Sequence, residues 1–112
     1  MTETTGREIT WTGGTHTFDL GHPWVRRVIS WRGINGHAPA ALLARFGADS
    51  YSPEDVERVI ELGLIGGGTP ECEVEALLDA HVRGKPLATS VALASANLAT
   101  LLVGDENVST AA

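Results

Sequence analysis

Nucleophiles and metal ligands are few in this chain. Its 112 residues hold four histidines, His16, His22, His37 and His81, and one cysteine, Cys72. No two histidines stand at the spacing that places both imidazoles on one helical turn, and no H-E-x-x-H occurs. Cys72 and His81 fall about 180° apart at the ~100° step of a helix, on opposite faces, so they do not form a ligand pair. A helix N-terminus lowers a thiol pKa, but Glu71 and Glu73 flank Cys72 and oppose that effect. A small, half-buried cysteine is expected instead. The carboxylates of Glu54/Asp55 and Glu71/Glu73/Glu75 suit the first turns of helices, where they complement the macrodipole. They read as solvated helix faces and helix-start charges rather than acid/base dyads. No catalytic residue, cofactor or metal site is expected.

The remaining candidate is the glycine-rich run GLIGGGT, with Gly63, Gly66, Gly67 and Gly68. A helix N-terminus after a glycine loop can hold a phosphate. Here the G-K-[ST] ending of a phosphate loop is missing. The run also follows a helix, not the strand that a dinucleotide fingerprint requires. It is better read as an elbow that lets two helices turn sharply and pack closely. On that reading Gly66→Val or Gly67→Val damages folding.

The elements that flank the elbow are well marked. Ser52 is an N-cap, Pro53 occupies the first helical position, and Asp55 can reach back as in a capping box. Val56, Val59, Ile60, Gly63 and Leu64 recur at helical spacing. Thr69-Pro70-Glu71 repeats the cap-then-proline order and predicts a helix over 70–82, with Val74, Leu77, Leu78 and His81 on one side. Pro86 restarts a last helix whose seam is Leu87, Val91, Ala94, Leu98, Leu101 and Leu102, and Gly104 is expected to close it.

Upstream, alternating residues around Gly13-Gly14 predict a β-hairpin with a two-residue loop. Facing Thr12 with Thr15 pairs Trp11 with His16 and Ile9 with Phe18. Ile9, Trp11, His16 and Phe18 then share one face, which must lie on the helices. A helix follows from about Trp24 to Gly33, then a short loop over 34–38 and a helix over 39–46 with Leu42, Leu43 and Phe46 inward. The fold class is α+β: an N-terminal hairpin followed by a bundle of about five short helices. One domain over 7–103 is expected, with polar, flexible segments at 1–6 and 104–112.

Composition bounds the partners. Net charge is -6, with 43% hydrophobic residues. An acidic chain whose only adjacent basic pair is Arg26-Arg27 is a poor ligand for nucleic acid or an anionic membrane. No apolar run approaches the ~20 residues that span a bilayer. The first residues lack the basic and apolar regions of a signal peptide. One cysteine leaves no disulfide framework within the chain.

Two features bear on binding. Trp11, Trp24 and Trp31 read first as core; the sharper reading is that Trp31 lies off the main stripe of its helix and is partly exposed, which would mark a contact surface. A groove built by Trp24, Val28 and Trp31 with the Leu98/Leu102 seam can accept a partner helix. The hairpin, the two short helices and the line FGADSYSPEDVERVIELGLIGGG (46–68) together resemble the gene transfer agent and phage tail assembly chaperone family, also labelled gene transfer agent tail tube-like. The family marks are Phe46, Ser52 and the Gly63 to Gly68 ending, and the likeness covers about 7–103. The basic, aromatic helix over 24–31 departs from the small acidic helix usual there. The resemblance implies a non-enzymatic chaperone in the bacterial cytoplasm. Its implied partners are the tape measure protein and the tail tube protein, and it is a possible homo-oligomer. The alternatives are a structural tail component, tube or completion protein, and a small nucleotide- or phosphate-binding regulator using the elbow.

Overall fold

The computed structural model describes residues 7–11 and 13–110. The segment expected at 1–6, Thr12 and the last two residues lie outside the described residues. Two strands, β1 (Arg7–Trp11) and β2 (Gly14–Phe18), precede five helices: α1 (Pro23–Arg32), α2 (Pro39–Gly47), α3 (Pro53–Gly66), α4 (Glu71–His81) and α5 (Leu87–Thr110). The fold is α+β, as the sequence implies.

The hairpin turns one residue earlier than expected. Trp11 pairs with Gly14, Thr10 with Thr15 and Ile9 with His16, so Gly14 belongs to β2 and not to the loop. Every partner moves by two residues, which preserves the faces because strand side chains alternate with period two. Ile9, Trp11, His16 and Phe18 do share one side. The physical reason lies at the tip. The Trp11 ring folds over Gly13, where a Cβ would come within 2.8 Å of the indole. Gly14 adopts φ +112° as β2 starts. The indole Nε1 donates to His16 Nδ1 at 2.9 Å, a diagonal contact, and the Phe18 ring meets the indole edge-on at 5.9 Å.

The loop over 34–38 contains a second tight turn. Ile34 and His37 exchange two backbone hydrogen bonds across Asn35 (φ 54°) and Gly36 (φ 86°). Two positive φ values in an Asn-Gly pair are the signature of a type I′ turn.

Helix α3 is the hub. It packs against β2, α1, α4 and α5, while α2 packs against α5. Its start is as read: the Ser52 hydroxyl accepts from the Asp55 N–H, and the Asp55 carboxylate accepts from the Ser52 N–H at 3.0 Å. Val56, Val59, Ile60, Leu62 and Leu64 are buried with Phe18, Val25, Leu42, Val74, Leu78 and Leu98. The start of α4 differs from expectation. Pro70 is itself the N-cap and, having no polar side-chain atom, makes no capping bond; the Thr69 N–H bonds back to Leu64 O.

Helix α5 passes through Gly104 and ends at Thr110. Its inward face is less apolar than the expected seam. Ser90, Asn97 and Thr100 are buried beside Leu93, Ala94 and Leu98. The Asn97 amide donates to Leu93 O at 2.9 Å and the Thr100 hydroxyl to Ala96 O at 3.0 Å. These bonds one turn back let polar side chains sit inside without an unpaired donor. Among the described residues, no helix is long and apolar enough to cross a membrane.

Candidate functional site

The histidines are placed by structure-building contacts. His16 holds the Trp11 indole, and the His22 ring caps α1 by accepting from the Trp24 N–H at 3.1 Å. His37 closes the Asn35-Gly36 turn and stands 3.8 Å from the Asp55 carboxylate. His81 meets the Trp11 ring edge-on at 5.8 Å. Cys72 is exposed, not half-buried. It faces outward because α4 turns Val74 and Leu78 to the core. Among the described residues no cluster of three metal-ligating side chains forms.

Asp55 is the one buried carboxylate among them, 1% exposed. Burial pushes its pKa up. Hydrogen bonds from the Asn35 amide (2.6 Å) and the Ser52 N–H, together with the field of His37, outweigh that push and hold it below the ordinary value. The group ties the Asn35-Gly36 turn to the start of α3. Arg83 does similar work at the other end. It reaches Glu57 on α3 and Glu75 and Asp79 on α4, and these three carboxylates raise its pKa.

The glycine run has a different neighbour from the one expected. The last turn of α3 lies under β2, not merely beside α4. A Cβ on Gly66 would overlap the carbonyl oxygen of Asp19, and one on Gly67 that of Thr17. A Cβ on Gly63 would press on the Phe18 ring at 3.0 Å. The Asp19 N–H donates to Gly63 O at 2.9 Å. Three glycines thus form a seat on which the backbone of β2 rests directly on a helix. Gly68 plays another part: its φ is +102° and the space around it is open, so it reverses the chain into α4. The phosphate reading loses the donors of the glycine run itself. The N–H groups of Gly67, Gly68 and Thr69 already bond to Gly63, Ile65 and Leu64 carbonyls.

The five residues expected to bind a partner do not form one groove. Trp31 is 79% exposed, Trp24 47% and Leu102 44%, whereas Leu98 is fully buried. Leu98 is therefore a core residue, directed inward with Asn97 and Ala94. Val28 is half-buried between Trp24 and Trp31. The two tryptophans occupy one flank of α1. There Trp24 borders a notch of about 180 Å³ with Arg58, Glu61, Glu71 and Glu75. Leu102 lies on the other flank, in a cleft of about 400 Å³ with Arg26, Ile29, Ser30 and Leu101. Buried Val25 and Ile29 separate the two flanks.

A further concavity was not legible in the sequence. Trp11, His81, Pro86, Thr89 and Leu93 line a mainly apolar cleft of about 500 Å³ between the hairpin tip, the end of α4 and the start of α5. Its one sequence signal is the Gly84-Lys85-Pro86 break, which separates two helices widely enough to leave a gap.

A family model described as phage tail tube protein, GTA-gp10, matches residues 5–104. The chain belongs to this family. No curated protein and no solved structure matches it. The match places the chain among phage and gene transfer agent tail proteins, as the resemblance implied, under the description of a tube protein rather than a chaperone. In this tail tube family member, the glycine seat, the capping box and both tryptophans of α1 all lie inside the matched stretch.

Proposed function

We propose that the protein is a structural component of the tail of a phage-like particle or gene transfer agent, acting through protein contacts and not through catalysis. The observation that carries this reading is the family match over 5–104. The surface chemistry agrees with it: two exposed tryptophans on one helix face are the kind of anchor that protein interfaces use. Assembly takes place in the bacterial cytoplasm, and the tail tube protein and the tape measure protein are the natural neighbours.

A second reading, a tail assembly chaperone that shields the tape measure protein, is favoured by the sheet. Among the described residues it has two strands only, which offers little edge for the strand pairing that builds a continuous tube wall. Mass spectrometry of purified particles separates the two. A structural component is retained in mature tails at a fixed ratio to the other tail proteins. Absence from particles, with co-purification of the tape measure protein from assembling cells, replaces the first reading with the second.

A further inference from the structure

The charge of the chain is divided by region. Between Pro23 and Ala48 there are four arginines and no carboxylate; between Asp49 and Asp79 there are nine carboxylates and one arginine. The structure turns this division into two unlike helix faces.

On α1, Val25 and Ile29 point to the core. At about 100° per residue the opposite face is centred on Arg27, with Trp24 and Trp31 beside it. All three are exposed. Arg32 stacks over the Trp31 ring, its guanidinium carbon 5.1 Å from the ring centroid, which holds the indole in place at the surface. An indole 79% exposed leaves roughly 150 Å² or more of apolar area in water, and among the described residues no element covers it.

On α4, Val74 and Leu78 point to the core. The outer face is centred on Cys72, Ala76 and Asp79, with Ala80 next to them, all exposed. Glu73 rims it on one side, Glu71 and Glu75 on the other. This face is small-chained and acidic where the α1 face is aromatic and basic. The two also adjoin: Trp24 of α1 and Glu71 and Glu75 of α4 line the same notch.

We propose that two copies of this chain pair through these faces, the Trp24–Arg27–Trp31 face of each α1 docking on the Cys72–Ala76–Asp79 face of the other copy's α4. Because the faces lie side by side, one two-fold axis near the notch forms both contacts together, which is the commonest way a self-complementary patch closes. The indoles fill the shallow bed over Ala76, and Arg27 and Arg32 meet Glu71 and Glu73, while Glu75 and Asp79 are already bonded to Arg83 of the same chain. The proposal deepens the structural tail reading by naming the surface on which its copies meet, and rests on that reading for its setting.

Sedimentation velocity of the full chain tests it, with circular dichroism confirming that each variant is folded. The wild-type protein is expected to dimerise, less tightly as salt screens the charged rim. Trp31→Ala and Arg27→Glu should each weaken dimerisation about tenfold or more, the scale of a lost interface anchor. Glu73→Arg alone should do the same. Mixing Arg27→Glu chains with Glu73→Arg chains should restore a dimer, since each α1 then meets an α4 of opposite charge. A monomer at every concentration, association beyond a dimer, an unchanged dimer in Trp31→Ala, or a mixture that stays monomeric overturns the proposal. None of these outcomes bears on whether the protein is retained in purified particles, so the structural reading stands or falls separately.

Discussion

The end of α3 and the outer face of α1 carry the two most conspicuous signals in the sequence, a glycine run and a tryptophan pair, and the fold uses them in opposite ways. At the end of α3 side chains are absent so that backbone can touch backbone. Gly66 and Gly67 lie under the carbonyls of Asp19 and Thr17 with no room for a methyl group. On α1 the side chains are the largest available, and Trp31 touches little but Arg32. The first region is fully occupied by the fold. The second is left over after folding, and is the place to seek a partner. The lesson concerns residue type: glycines that resemble a ligand cradle can be a packing device, and aromatics that resemble core can be surface.

Substitutions at the two regions should therefore separate stability from association. The largest effect is expected for Gly66→Val. Its Cβ meets main-chain atoms, which no rotamer change relieves, so the loss should exceed ~4 kcal/mol, a large share of the roughly 5–15 kcal/mol that holds a domain folded. Circular dichroism should show a chain without a cooperative thermal transition. Gly68→Ala sharpens the contrast. It meets only the strain of a positive φ in open space and should lose about 1 kcal/mol. Equal damage at both positions would mean that the run works by flexibility rather than as a seat.

The leucines of α5 extend the comparison. Leu98→Ala, in the core, should cost about 2–5 kcal/mol in urea denaturation, while Leu102→Ala, nearly half exposed, should stay within ~0.5 kcal/mol. Asp55→Ala should cost about 1–3 kcal/mol at neutral pH, through the lost cap and the lost charge-assisted bond from the Asn35 amide. Its pH dependence has a definite sign. The folded pKa is lowered from 3.8, so the carboxylate's contribution is present above that value and is lost as pH falls through the folded pKa. The gap between wild type and Asp55→Ala should therefore narrow in acid. The smallest stability effect of the monomer belongs to Trp31→Ala, within ~0.5 kcal/mol, because little of the ring is buried in the chain's own fold.

Local signals were the legible ones. Ser52 and Asp55 gave the capping box because both partners lie within one turn. The hairpin faces were read correctly because alternation fixes them, but the partners slipped by two because Gly13-Gly14 offers two places to turn. Only the Trp11 ring folding over Gly13 decides between them. Asn35-Gly36 carried a turn signal that a reading of 34–38 as plain loop passed over. The glycine run was visible as a backbone constraint, yet its neighbour was not, since β2 lies more than forty residues away along the chain. For α5, apolar period alone placed Leu98 on a binding face. Small residues all round that helix blur which side is inward, and the buried Asn97 and Thr100 reveal it only through their bonds to the preceding turn. The split of the tryptophan flank from the Leu102 flank was beyond sequence for the same reason: it depends on which flank of α1 shares a cleft with α5.

Thermal unfolding of Gly66→Ala and Trp31→Ala, measured side by side with wild type at a dilution where all three are monomeric, tests this division of labour most directly. At this chain length about 1 kcal/mol moves the midpoint by about 4–8 °C. A methyl group under the Asp19 carbonyl should lower it by more than ~10 °C, and loss of the Trp31 indole should shift it by less than ~4 °C. A Gly66→Ala protein as stable as wild type, or a Trp31→Ala protein that unfolds first, would contradict the assignment of the glycines to the fold and of the α1 aromatic face to a partner.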